Sequence, residues 1–99
     1  MNVHFTDAAS EQLDAIYNYI ANDSSHYAKR VVDQIVRKAH NTGIMPRAAT
    51  IVPEYSRPDI REVFAYRYRI IYRILADRID IIAIVHGAKP LPDSLVDLT

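Results

Sequence analysis

Three short runs rich in isoleucine, valine and tyrosine, at residues 60–63, 68–74 and 79–86, constrain this chain more than any other feature. β-Branched and aromatic residues in runs of this length, broken by a few turn residues, predict consecutive antiparallel strands. Side chains alternate across a strand, so Tyr68, Ile70, Tyr72 and Ile74 share one face of the middle run, and Arg69, Ile71 and Arg73 share the other. The first set is the more apolar. It is expected to lie beneath a covering layer, which leaves Arg69 and Arg73 on an open face. Arg61 opens the first run and His86 closes the last. A guanidinium offers five donors in a fixed fork and keeps its charge, so a row of arginines on a small sheet suits an anion or a carboxylate.

The first half of the chain supplies the cover. Leu13, Ile16, Tyr17 and Ile20 recur at helical spacing over residues 8–21, with Thr6 or Asp7 as N-cap. A second helix is expected over residues 25–41, with Ala28, Val31, Val32, Ile35 and Ala39 on its stripe and Gly43 as a left-handed C-terminal residue. The break at residues 22–25 is so short that the helices must fold back as an antiparallel pair. Residues 3–6 read as a short edge strand, pairing beside the last strand or at the far edge. Residues 45–59 contain Pro46, Pro53 and Pro58 and read as a crossing loop anchored by Ile51 and Val52. The expectation is therefore an α+β fold: an N-terminal strand, then an antiparallel helical hairpin on one face of a mainly antiparallel three- to four-stranded sheet. Residues 1–99 form a single domain in this reading. Its tail, residues 89–99, either docks as one helical turn through Leu95, Val96 and Leu98 or stays loose.

Charge bears on partners. The 99 residues carry 12 basic and 12 acidic side chains, and a net charge of zero disfavours loose binding to nucleic acid. The distribution is uneven. No Lys or Arg precedes Lys29, whereas six arginines and three acids lie between Arg57 and Arg78. An acidic opening helix thus faces a more basic sheet. With no cysteine there is neither a disulfide framework nor a thiolate zinc site, and no metal or other cofactor is expected. No signal-peptide pattern and no apolar run of about eighteen residues occurs, so a cytoplasmic protein without a membrane partner is expected.

The chain resembles the RelE/ParE superfamily of type II toxins, on the ParE-like side. The resemblance rests on Phe5-Thr6, Leu13-Asp14-Ala15-Ile16 and Tyr19-Ile20-Ala21 in the hairpin, then Ile60-Arg61-Glu62, Tyr68-Arg69-Ile70-Ile71-Tyr72 and the closing Val85-His86-Gly87, in that order over nearly the whole chain. It implies the same α+β sandwich and a cognate antitoxin that binds and neutralises the toxin, in a hetero-oligomer or beside a homodimer. It implies growth arrest through one of two targets: DNA gyrase for ParE-like members, or mRNA cut on the ribosome for RelE-like members. Lys89 matches a position where ParE-like chains often carry a basic residue. Residues 92–99 hold no cation or aromatic ring, a departure from the nuclease branch. The gyrase inhibitor, a protein without catalysis, is the leading reading, and a ribosome-dependent endoribonuclease is the alternative. A toxin-like fold retained only for binding is a third.

The residues expected at a target or antitoxin surface are Arg61, Arg69, Arg73, Tyr68, Tyr72, His86 and Lys89. On the nuclease reading, Arg61 and Arg69 clamp the phosphate and His86 donates a proton. Each has a plainer role: Arg61 or Glu62 pairing across the sheet with Arg69 or Asp80, and His86 as a hydrogen-bonded strand end grouped by parity with Asp80, Ile82 and Ile84. The tyrosines fit half-buried positions, or a surface for protein contact.

Overall fold

Helical periodicity followed by β-rich runs resolves, in the computed structural model, into a sheet with a helical layer on one side; residues 1–98 are described. Helix α1 (Asp7–Ala21) follows strand β1 (Asn2–Phe5), and α2 (Ser25–Asn41) returns antiparallel to it. Thr6 caps α1 by accepting the Ala9 N–H, and its hydroxyl donates to the Ile81 carbonyl, which ties the helix start to the sheet. Ser24 caps α2 through the Tyr27 N–H. Strands β2 (Thr50–Ile51), β3 (Ile60–Ala65), β4 (Tyr68–Ile74) and β5 (Arg78–His86) follow, then the short helix α3 (Leu95–Leu98). Among the described residues no helix is long and apolar enough to cross a membrane.

The sheet runs β1-β5-β4-β3-β2, with β1 parallel to β5 and the other pairs antiparallel. The position left open for β1 is therefore the edge beside β5. Five strands are present among the described residues rather than three or four, because Thr50 and Ile51 pair with Glu62 and Arg61 inside the segment expected to be irregular. Ile70, Tyr72, Ile79, Ile81 and Ile84 pack under Ala9, Val31, Ile35 and Ala39, so the helices cover the face that alternation assigns to them.

The opposite face is not open. Val52, Ile60, Ile71, Ile82, Ala83 and Val85 form a second buried cluster, covered by Tyr55, Leu91, Leu95 and Leu98 from the crossing loop and the C-terminal tail. The tail thus docks as a helical turn through Leu95 and Leu98, while Val96 points outward; Thr99 lies outside the described residues. The Tyr55 hydroxyl donates to the Pro92 carbonyl at 2.9 Å and holds loop and tail together.

Two local expectations are corrected. Gly43 has no left-handed backbone. A Cβ there would stand 2.3 Å from the Met1 carbonyl oxygen, so glycine is required by the close passage of the N-terminal strand, whose amino group donates to the Gly43 carbonyl at 2.8 Å. In β5 the register shifts opposite Ile71 and Tyr72, whose partners are Ala83 and Ile81. The intervening Ile82 is a bulge, so simple parity fails beyond it. His86 follows Ile84 on the helix side, and Asp80 bonds Arg78 instead.

Candidate functional site

The arginine row divides between interior and edge. Arg69 is 8% exposed and fully engaged. Its Nε donates to Glu62 Oε1 at 2.6 Å, and its two terminal nitrogens reach the Glu54 carboxylate at 2.7 and 2.9 Å. Glu62, on β3 diagonally across from Arg69 with Ile71 as its direct partner, is itself buried. The plainer role of Glu62, pairing with Arg69, is the one the geometry supplies. The Arg69 hydrogen bonds hold the Glu54 carboxyl at about 2, below its usual value, and the carboxylates, Glu54 first, push the guanidinium further up. Placement of Arg69 on an open face is corrected: the far side of the sheet has its own apolar cover, and a charge beneath it must be matched.

Arg61 lies on the helix side of β3, where its guanidinium donates to the carbonyls of Pro58, Arg47 and Ala49 and fastens the crossing loop. Tyr72 is enclosed, its hydroxyl bonded to the Pro46 carbonyl at 2.6 Å, and burial pushes its phenol up. Arg73 stays partly exposed at the sheet end, 3.4 Å from Asp59. The three nuclease candidates do not converge. Arg69 projects through the far face, and Arg61 and His86 stand opposite Tyr72 and Tyr68 respectively, four residues apart along β4, or about 13 Å.

Three of the expected residues do meet. Tyr68, His86 and Lys89 line a cavity of about 410 Å³ against α1 residues Gln12, Ile16 and Tyr19. A second cavity of about 510 Å³ shares Tyr19, Tyr68 and His86 and extends past Tyr27 to Tyr66 and Arg67 at the β3–β4 turn. Together they make one cleft at the end of the helical hairpin. Tyr68 and His86 stand edge to face at 5.8 Å, as do Tyr27 and Tyr66 at 6.3 Å. The His86 Nδ1 accepts the Ala88 N–H at 3.2 Å, which leaves Nε2 to carry the proton of a neutral ring. Burial pushes the Tyr68 phenol up, so it stays an O–H donor. Tyr66 has φ 54°, a strained value for a bulky residue, and Gly87 N–H donates to the Arg67 carbonyl at 2.7 Å, pinning that turn to the end of β5. Tyr19, Tyr27, Tyr66 and Arg67 are not among the residues expected at a target or antitoxin surface from the sequence. The signal was present in Tyr19, a bulky ring outside the apolar stripe of its helix.

A separate apolar surface lies at the other end. Ile44 and Met45 are exposed by 76% and 68%; Met45 borders two cavities, of about 660 and 460 Å³, and Ile44 the smaller of them. Their only charged lining side chains among the described residues are Arg47 and Lys38. No group of three or more His, Cys, Asp or Glu among the described residues is placed to hold a metal ion.

The family model of the ParE toxin of type II toxin–antitoxin systems, parDE, matches residues 3–91. Among solved structures, the chain is similar to one described as a chromosomal ParDE TA system from P. aeruginosa, with a TM-score of 0.73 and 22% identity over 87% of this chain and 95% of that chain. At that identity the likeness is one of fold. The comparison with curated proteins gives no match. Since the family match takes in both long helices, strands β2 to β5 and the whole of the aromatic cleft, the chain belongs to the ParE toxin family of type II toxin–antitoxin systems.

Proposed function

We propose that this chain is a cytoplasmic toxin that inhibits DNA gyrase and is neutralised by direct binding of a cognate antitoxin. The family match over residues 3–91 carries the reading. On this reading the cleft around Tyr68, His86 and Lys89 faces the target, since it gathers exposed aromatic rings and cations where proteins commonly place contact residues. The Ile44–Met45 surface anchors an amphipathic antitoxin segment, because methionine adapts to an incoming apolar face and Lys38 and Arg47 suit acidic flanks. The dispersal of Arg61, Arg69 and His86 weighs against the nuclease alternative, whose chemistry needs them around one phosphate.

Induction of the chain in cells, followed by supercoiling and cleavage-complex assays on plasmid DNA, tests the proposal. Relaxed plasmid and trapped, cleaved DNA are expected, and both should vanish when a cognate antitoxin is co-expressed. Growth arrest with normal gyrase behaviour and codon-phased mRNA ends would refute it.

A further inference from the structure

The aromatic cleft has a chemistry more specific than protein contact. Its two joined cavities, about 410 and 510 Å³, are each of a size that takes a small flat ligand. Four tyrosines and one histidine contribute rings, and both close ring pairs stand near 80° to one another, 81° and 82°. In an edge-to-face pair only one of the two rings has a face occupied by its partner, so flat surfaces remain for a third ring to stack on. Tyr19 is 77% exposed and Tyr66 51%, which places such surfaces at the mouth. Arg67 lies at one end of the cleft and Lys89 at the other, and among the described residues no side chain lining either cavity is a carboxylate.

Planar apolar faces bracketed by two cations match an unpaired nucleotide: the base stacks on tyrosine and the flanking phosphates meet Arg67 and Lys89. We infer that the cleft binds an unpaired segment of a DNA strand, one base in each cavity. The inference rests on the gyrase reading, under which the toxin meets DNA whose strands are broken and partly unpaired. An acidic peptide would satisfy the cations but leave the stacking faces without planar partners. Zero net charge is consistent with this mode, because recognition comes from stacking and two local cations rather than from a basic surface. The strained Tyr66 turn, pinned through Gly87, fixes the backbone from which the Tyr66 ring and the Arg67 side chain project.

The test is fluorescence anisotropy of a short labelled oligothymidylate with the full chain. An abasic strand of equal length and charge, the ribose counterpart and an acidic peptide serve as competitors. The oligothymidylate is expected to bind about tenfold tighter than the abasic strand, and Tyr19→Ala to lose about tenfold, consistent with base stacking on aromatic rings. Two phosphate contacts give a salt slope of about −1.4 in log K against log salt, falling to about −0.7 in Lys89→Ala. Arg78→Ala, at the opposite end of β5 from His86, should bind as wild type; circular dichroism confirms that each variant is folded. Equal binding of the abasic strand, preference for the ribose strand, or displacement by the acidic peptide alone would overturn the inference. Gyrase poisoning is scored separately with the same variants. Trapped cleavage complexes without oligonucleotide binding overturn the nucleotide site and spare the gyrase reading, while binding without poisoning does the reverse.

Discussion

Removing the Arg69 guanidinium should unfold this domain more effectively than any surface substitution. Arg69 and Glu62 bond at 2.6 Å with side chains 9% and 4% exposed, so Arg69→Met leaves the Glu62 carboxylate in an apolar layer with no counter-charge. Breaking a buried pair in this way costs about 3–5 kcal/mol. Glu54 adds little to that figure: its side chain is 39% exposed and turns to water once released, a surface term of about 1 kcal/mol or less. A domain of this size has roughly 5–15 kcal/mol in total, so the single variant loses a large share of its stability. Replacing both partners, as Arg69→Met with Glu62→Met, removes the stranded charge and should return to within about 1–2 kcal/mol of wild type. Urea denaturation followed by circular dichroism measures this directly. With a slope near 2 kcal/mol per molar, the midpoint should fall by roughly 2 M in the single variant and recover in the double. A single variant within about 1 kcal/mol of wild type, or a double variant as unstable as the single, would refute the argument that this charge is held for internal balance. On the proposed function the double variant should also retain toxicity, because neither side chain lines the aromatic cleft.

The same carboxylate cluster sets an acid limit. Glu54 titrates at about 2 in the folded protein against an ordinary 4.5, so its contribution is complete above pH 4.5 and is lost as the pH falls toward 2. After allowance for its exposure this is about 1 kcal/mol, and urea midpoints of wild type should drop more than those of Glu54→Gln between pH 5 and 2. Gly43→Ala forces a Cβ against the Met1 carbonyl and should cost about 1–3 kcal/mol, with faster hydrogen exchange in β1 than in β3 or β4. Tyr55→Phe deletes the bond to Pro92 and should cost about 0.5–1.5 kcal/mol while making the chain near residues 91–95 more open to limited proteolysis.

How far the sequence reached can be traced to which signals are local. Helical periodicity and cap residues depend on neighbours a few positions apart, and α2 has the bounds expected for it, Ser25–Asn41. Alternation placed Ile70 and Tyr72 beneath the helices for the same reason. What escaped was long-range. The pairing of Thr50 and Ile51 with β3 and the passage of Met1 over Gly43 join residues far apart in the chain, and distant partners also decide that the tail takes the docked one of its two expected outcomes. One warning was nonetheless printed in the residues: Ile81 to Val85 is apolar without alternation, the mark of a strand buried on both faces. Weighed fully, it requires a second cover on the sheet, and with that cover no open face is left for Arg69.

The consequence for function follows from the same burial. An arginine between two carboxylates under an apolar lid does not exchange them for a ligand without first uncovering the sheet, whereas Arg67 and Lys89 stand in a cleft lined by no acidic side chain among the described residues. Sequence counts both kinds of arginine alike, because charge is read one residue at a time and its neutralisation is settled by a partner elsewhere in the chain. Glu54 sits fifteen residues before Arg69 on the proline-rich loop, where no periodicity announces it. The tyrosines divide by the same logic. Tyr72 satisfies its hydroxyl internally on Pro46 and completes the core, while Tyr19 and Tyr66 present rings that the fold itself does not consume. On the proposed function it is this unspent aromatic surface and its two cations, not the arginine row, that meet the target.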